Sequence, residues 1–500
     1  MTAQAESNTS SESVTTPTTP MSKLRLFSIV AGPLVCLILT FIPAPEGLSP
    51  GAWKLVALTT WMVIWWMTEA APVPVTALLP IVFMPILGIG DQKTVAASYS
   101  NPLIYLFLGG FLIAAAMQRW GLHKRIALTV VKFAGTSGSS IIAGFMLSTA
   151  FLSMWISNTA TTLMMFTVGI SLIDFIASKG KDPAQVRRFG IALMLGIAYS
   201  ASIGGVATLI GTPPNTLLAS FLQDSYGISI DFATWMMIGV PVAVILLPIV
   251  WFILCKLVFP VGHLDLEGAD QLVVNELNAM GKIGRGELIV LIVFGFTVVA
   301  WIFRKFIISL TGLNISDTSI ALFAASILFV IPASIERNQF TVDWDAAKGV
   351  PWGVLLLFGG GLALAAAFKS TGLAMSIGEF VGSLDSLEIS MIILVTIITI
   401  VFLTEITSNT ATTATFLPIL GAVSVGLGYS PLALAIPAAL AASMAFMMPV
   451  ATPPNAIVFS YEGLRIKDMM KAGLWINLVS IFIIYIAIIT LAPTIFGIDL

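Results

Sequence analysis

Apolar stretches of about 17 to 26 residues recur along almost the whole chain, separated by short polar loops. Each is long enough to cross about 30 Å of hydrocarbon as a helix. The pattern predicts regular spans near 27–43, 54–70, 72–88, 103–118, 233–258, 286–303, 317–333, 351–368 and 471–492. Four further apolar segments are irregular. Two long ones, 139–177 and 387–427, carry Ser-Asn-Thr interruptions at their centres. Two others, near 190–223 and 431–462, are broken by Thr-Pro-Pro-Asn. Ten-residue runs of alternating hydrophobicity, the mark of an outer-membrane barrel, are missing. The segments 119–134 and 369–385 mix charges with apolar residues, as helices lying along a membrane interface do.

Composition makes lipid the solvent. Of 500 residues 58% are hydrophobic and 10% charged, against roughly a quarter charged in a soluble domain. The net charge of −2 points to no nucleic-acid partner. Residues 1–22 are rich in Ser and Thr and read as a disordered cytoplasmic tail. Lys23 and Arg25 precede the apolar run Phe27 to Ile42, with no convincing small-residue cleavage site after it, so this run reads as a retained first span. Cys36 and Cys255 fall in separate apolar segments and read as packing residues rather than a disulfide.

Loop charge arbitrates the two long segments. With Lys23 and Arg25 cytoplasmic, four spans return Arg119, Lys124 and Arg125 to the cytoplasm. A re-entrant hairpin over 139–177 then leaves Lys179, Lys181, Arg187 and Arg188 cytoplasmic too, as the positive-inside rule prefers. Continuing the count places Arg465, Lys467 and Lys471 inside, with only Arg304, Lys305 and Lys369 on the disfavoured side. The chain therefore reads as an all-α polytopic membrane protein of eleven transmembrane helices plus two re-entrant hairpins, in the cell's inner or plasma membrane.

The two halves repeat. Leu106 to Leu122 reads LFLGGFLIAAAMQRWGL and Leu357 to Leu373 reads LFGGGLALAAAFKSTGL, an offset of 357 − 106 = 251. The same offset joins Ser157 to Ser408, where both copies read SNTATT, and Thr212-Pro-Pro-Asn returns at Thr452. Each unit holds five spans and a hairpin, and an odd number of spans inverts the second unit relative to the first. The expected organisation is a first span and first repeat over 23–258, a connector over 259–285 and a second, inverted repeat over 286–500.

The interruptions carry the chemistry. Proline removes a backbone donor and clashes with the preceding turn, so both Thr-Pro-Pro-Asn segments force unwinding. Each break makes half-helices whose N-termini offer free N–H groups to an anion, while freed carbonyls and hydroxyls suit a hard cation such as sodium. Asn amides and Thr hydroxyls can hydrogen-bond a carboxylate without a fixed charge. No Lys or Arg stands in any of the four motifs. Dipoles plus exchangeable sodium would make the anion site strong only when the cations are loaded. A single Ser-Asn-Thr in a membrane helix is ordinarily an interhelical hydrogen-bond partner and a single Pro a simple kink. Paired copies of both point to a binding site.

Other polar residues weigh less. Glu405, three residues before Ser408, is an intramembrane carboxylate whose first-half counterpart is Met154, and it stands between direct function and support of its hairpin. Glu69 reads as an interfacial residue at a bend, His123 and His263 as surface histidines, and Gly109, Gly110, Gly360 and Gly361 as sites of close helix packing. No GK[ST] follows the glycines, so they form no phosphate loop.

The paired SNT and TPPN motifs, with the segment WWMTEAAPVPVTALLPI, resemble the divalent anion/sodium symporter family of di- and tricarboxylate carriers over essentially the whole chain after the tail. The resemblance implies two sodium sites for co-transported sodium ions and no organic cofactor. The first sodium site would use Ser153, Ser157, Asn158 and the backbone of Gly211; the second would use Thr404, Ser408, Asn409 and the backbone of Ala451. The substrate would contact Asn158, Thr159, Thr212, Pro213, Asn409, Thr410, Thr452 and Pro453. It also implies a homodimer in which a transport domain slides against a scaffold, an elevator. Members that exchange one anion for another tend to show SNTAR at the first motif, where this chain has SNTAT, so the resemblance favours sodium-coupled symport of C4-dicarboxylates such as succinate, malate and fumarate. The alternatives are sodium-independent exchange, or citrate or sulfate as the main substrate. A passive pore needs no midplane breaks, and an enzyme needs nucleophile–base or metal-ligand pairs that two scattered histidines do not supply.

Overall fold

The computed structural model describes residues 23–135, 137–179, 181–261, 268–382 and 388–500. The predicted tail 1–22 and His263 lie outside the described residues. The fold is helical almost throughout, as the apolar pattern requires, with one two-residue-wide strand pair, Pro332–Ser334 against Gln339–Phe340, among the described residues. Among the described residues eight helices have the length and hydropathy to cross a membrane: Lys23–Phe41, Gln92–Arg119, Asn158–Ser178, Pro183–Val206, Phe232–Val258, Arg285–Ile302, Trp352–Ser370 and Ile466–Phe496. Shorter apolar helices cover Gly138–Ser153, Asp317–Val330, Ile389–Thr404 and Leu432–Ala442.

Two elements differ from the sequence expectation. The span near 72–88 is two pieces, Val73–Thr76 and Leu79–Leu87, because Pro72, Pro74 and Pro80 each restart the chain at a helical N-terminus. The final span is far longer than 471–492 and runs Ile466–Phe496. Both interface segments are helices, Leu122–Lys132 and Leu373–Gly382, and the first buries Leu122, Ala127, Leu128 and Val131 on one face. His123 on it is half-buried rather than superficial, and its Nδ1 lies 3.0 Å from Met117 O. Cys36 and Cys255 are buried and unpaired.

The connector contains the helix Ala269–Ala279, and ion pairs tie the first interface helix to it and to the helix Arg285–Ile302 that follows. Lys124 meets Glu276 at 2.8 Å, and Arg125 meets the buried Glu287 at 2.5 Å. Arg119 reaches Asp343 at 2.6 Å, and that bond with the Ala346 N–H holds the exposed Asp343 carboxyl below its ordinary range.

The predicted interruptions are present. Helix Gly138–Ser153 ends and helix Asn158–Ser178 begins across a four-residue turn, and Ile389–Thr404 gives way to Asn409–Gly426 in the same way. Pro183–Val206 unwinds before Pro213–Tyr226, and Leu432–Ala442 unwinds before Pro453–Phe459. Pro183–Val206 and Leu432–Ala442 form the buried centre, each with its own turn packed on it. The second piece of each break crosses to the other half. Pro213–Tyr226 packs on Asn409–Gly426 and Trp352–Ser370, and Pro453–Phe459 packs on Asn158–Ser178 and Pro183–Val206. The four interruptions are thereby brought together.

The glycines at equivalent positions permit two close approaches. A Cβ at Gly109 would lie 2.7 Å from Ala321 Cβ and 2.8 Å from its carbonyl carbon, and one at Gly360 would lie 2.5 Å from Ala77 O. Gly295, by contrast, faces open space. Gly109→Val should therefore destabilise the protein by about 1–3 kcal/mol through overpacking. Gly295→Ala should be neutral or stabilising by up to about 1 kcal/mol. Heat unfolding of the two purified variants in detergent checks the contrast; equal melting temperatures would contradict it.

Candidate functional site

Backbone at the two breaks has lost its helical partners, and in an apolar interior each freed group must find another. At the first break one buried side chain answers most of that need. The Asn215 amide donates to Thr208 O at 2.7 Å, Gly205 O at 3.1 Å and Val206 O at 3.2 Å. Trp235 Nε1 donates to Val206 O at 2.9 Å, and Thr216 Oγ1 donates to Leu209 O at 2.5 Å. Thr208 Oγ1 ties the break to the neighbouring turn by donating to Met154 O at 2.5 Å.

The second break repeats this with Asn455, whose amide donates to Ala445 O at 3.1 Å and Met448 O at 3.0 Å. Tyr199 from the other half donates to Phe446 O at 2.7 Å. Here the helix stops earlier and a longer unwound stretch follows, so N–H groups are orphaned as well. Glu405 takes them: its carboxylate accepts from Phe446 N at 2.7 Å, Met447 N at 3.0 Å and Met448 N at 3.0 Å, and from Asn477 Nδ2 at 2.7 Å. Glu405 thus supports the second break, not its own hairpin, and it does not line the cavity. The motif asparagines Asn215 and Asn455 are fully buried and committed to backbone, so their amides do not face a ligand. That division of labour among four motif asparagines was not visible in the sequence; the signal was their place after Pro-Pro, where a cap faces inward.

The interruptions enclose a cavity of about 1060 Å³. Ser157, Asn158, Thr159, Gly211, Thr212 and Pro213 line it from the first half, and Ser408, Asn409, Thr410, Ala451, Thr452 and Pro453 from the second. Ser153 and Thr404 are fully buried behind the motif asparagines. Four helix N-caps, Ser157, Thr212, Ser408 and Thr452, face the same space, which concentrates the positive ends of four helix dipoles there. Among the described residues lining the cavity Glu69 is the one charged side chain, and it ends helix Pro50–Thr68 in a left-handed conformation with φ 47°. It thus makes the bend the sequence suggested and also borders the cavity, along with Trp66, Phe107 and Gln118.

Behind the cavity wall sit two clusters of oxygens. Thr404 Oγ1 lies 2.7 Å from Asn409 Oδ1 and 2.9 Å from Ala442 O, so one hydroxyl proton is shared between two acceptors. Asn158 Oδ1 lies 2.5 Å from Ser153 Oγ, in a position 3.3 Å from Gly211 O and 3.2 Å from Ala201 O. Acceptors crowded like this are satisfied in one of two ways. Either the amide turns over, so that its NH2 donates to Gly211 O, Ser153 Oγ and Ala201 O, or a cation sits among the oxygens. No cluster of three or more His, Cys, Asp or Glu that could hold a metal ion is found among the described residues, so a cation here would meet hydroxyl, amide and carbonyl oxygens.

The chain matches the family described as the sodium:sulfate symporter transmembrane region over residues 23–498. It is 42% identical over 482 residues to the sodium-dependent dicarboxylate transporter SdcS of Staphylococcus saprophyticus, covering 95% of this chain and 93% of that protein. It is 40% identical over 487 residues to SdcS of Staphylococcus aureus, covering 96% and 94%. In fold it is similar to MtrF of Neisseria gonorrhoeae, with a TM-score of 0.57 at 15% identity over 94% of this chain and 95% of that one. The YdaH transporter of Alcanivorax borkumensis gives 0.53 at 13% identity, covering 79% and 86%. The relatives are named as transporters, not enzymes. A match spanning every described helix, set on a many-helix membrane fold, makes this chain a member of the divalent anion:sodium symporter family.

Proposed function

We propose that the chain is a secondary active carrier coupling sodium to uptake of C4-dicarboxylates such as succinate, malate and fumarate. The observation that carries this reading is the pair of hydroxyl, amide and carbonyl clusters, Ser153 with Asn158 and Thr404 with Asn409, flanking one cavity lined by four helix N-caps. Cations would occupy Ser153, Ser157, Asn158 and Gly211 on one side, and Thr404, Ser408, Asn409 and Ala451 on the other. The anion would lie between them against Asn158, Thr159, Thr212, Pro213, Asn409, Thr410, Thr452 and Pro453. The sodium-dependent dicarboxylate transporters to which the chain is about 40% identical support both ligands.

The motif amides supply the coupling. With sodium bound, Asn158 and Asn409 keep Oδ1 on the cation and present NH2 to the cavity, where it can donate to a carboxylate. Without sodium the Asn158 NH2 can donate to Gly211 O, Ser153 Oγ and Ala201 O, which satisfies the same oxygens. The absence of Lys or Arg among the described residues lining the cavity fits a site whose positive charge is supplied by the cargo.

The wider architecture belongs to the same reading. Elements of the same type follow one another in both halves, from Pro102–Arg119 to Pro213–Tyr226 and from Trp352–Ser370 to Pro453–Phe459, which supports an inverted repeat. The repeat units are 23–258 and 286–500 joined by 259–285, with the N-terminus cytoplasmic. The turns and breaks would move as one transport domain against a scaffold, in a homodimer.

Radiolabelled succinate uptake into liposomes holding the purified protein tests the reading. Accumulation into empty vesicles driven by an inward sodium gradient, and absent with potassium, is expected; uptake that needs internal succinate and ignores sodium would make the protein an exchanger. Unlabelled citrate and sulfate should compete more weakly than malate.

Asn158→Ala or Asn409→Ala removes a donor and an acceptor, at about 1–3 kcal/mol per lost partner. Uptake should fall about tenfold or more with expression intact, since about 1.4 kcal/mol is a factor of ten. Asn215→Ala or Asn455→Ala should instead lower the melting temperature and the yield of folded protein. Near-normal transport in both of the first pair would contradict the site assignment.

A further inference from the structure

We propose that Glu405 is a positioning residue that makes the second oxygen cluster bind sodium more tightly than the first, so that the second fills first. The inference rests on the reading that these clusters hold sodium.

Glu405 directly follows Thr404, the hydroxyl of the second cluster. Its carboxylate grips Phe446, Met447 and Met448 by their N–H groups. That stretch of unwound chain starts after Ala442, whose carbonyl is 2.9 Å from Thr404 Oγ1, and leads to Ala451 on the cavity wall. Pinning its middle fixes where its two ends can place their oxygens.

The carboxylate also carries a charge. Glu405 is 4% exposed and lines no part of the cavity. Its partners are three peptide N–H groups and the fully buried Asn477 amide, all neutral. Neutral dipoles stabilise an anion without cancelling its charge, and an uncancelled charge in a medium of low dielectric acts strongly on a cation nearby.

The first cluster has no carboxylate at the equivalent position. At the equivalent position stands Met154, which contributes only its carbonyl, accepting from Thr208 Oγ1 at 2.5 Å. The helix there runs on to Val206, and a shorter unwound stretch needs no carboxylate. Two clusters built from matching hydroxyl, amide and carbonyl oxygens therefore differ by one buried negative charge.

Sodium titrated against potassium at constant ionic strength, without dicarboxylate, while heat unfolding of the purified full chain is followed, reads the effect. Glu405→Gln should raise the sodium concentration for half-maximal stabilisation at least fivefold. Asn477→Ala, which removes a support and keeps the charge, should lower the melting temperature and leave that midpoint within twofold. If Glu405→Gln lowers melting equally at every sodium concentration with the midpoint in place, Glu405 is scaffolding and the inference is overturned. A second comparison needs no change at Glu405. Ser153→Ala should leave a residual sodium midpoint at least fivefold lower than Thr404→Ala leaves, and equal residual midpoints would overturn the inference. Should sodium fail to stabilise the native protein at all, the sodium reading itself falls.

Discussion

A peptide group freed from its helix inside an apolar interior must be bonded again or the fold is lost. This chain frees such groups at two turns and two breaks, and the rest of its architecture follows from where their partners come from. The buried stretch Phe189 to Val206 of the first helix and the fully buried helix Leu432–Ala442 surround the breaks with protein instead of lipid. The partners then come from across the molecule: Asn215, Trp235 and Thr216 at the first break, and Asn455, Glu405 and Tyr199 at the second. Tyr199 in particular belongs to the opposite half, so the second break is not held by its own half alone, whereas Asn215, Trp235 and Thr216 hold the first break from within its own half.

Once the costly groups are satisfied, what remains unsatisfied is informative. Helix N-termini point into the cavity, and hydroxyl, amide and carbonyl oxygens gather behind it, at Ser153 with Asn158 and at Thr404 with Asn409. One arrangement invites an anion, the other a cation. Their contact through the same two amides is the physical basis for expecting the ligands to depend on each other. A lysine in the cavity would have held a dianion at all times; the lining carries Glu69 and no basic residue.

Much of this was legible in the chain itself. Apolar run lengths announced the long helices, and Pro-Pro after Thr212 and Thr452 announced the breaks, because proline's chemistry is local. SNTATT at two places announced the turns by repetition. The partition of Asn215 and Asn455 into backbone caps was not legible, since an amide reads the same whether it faces a carbonyl or a ligand. The splitting of 72–88 was masked by its hydrophobicity, although Pro74 and Pro80 carried the signal. Glu405 stayed ambiguous for a tertiary reason: its partners lie some forty and seventy residues downstream, at Phe446 to Met448 and Asn477.

Binding at equilibrium tests the central claim, that cation and anion share the amides of Asn158 and Asn409, most directly. Succinate affinity of the purified protein, measured by calorimetry across a sodium series, should rise with sodium, and sodium affinity should rise with succinate by the same factor, as linkage demands. Succinate binding that is equally tight in sodium and in potassium would contradict the claim, whatever the protein transports.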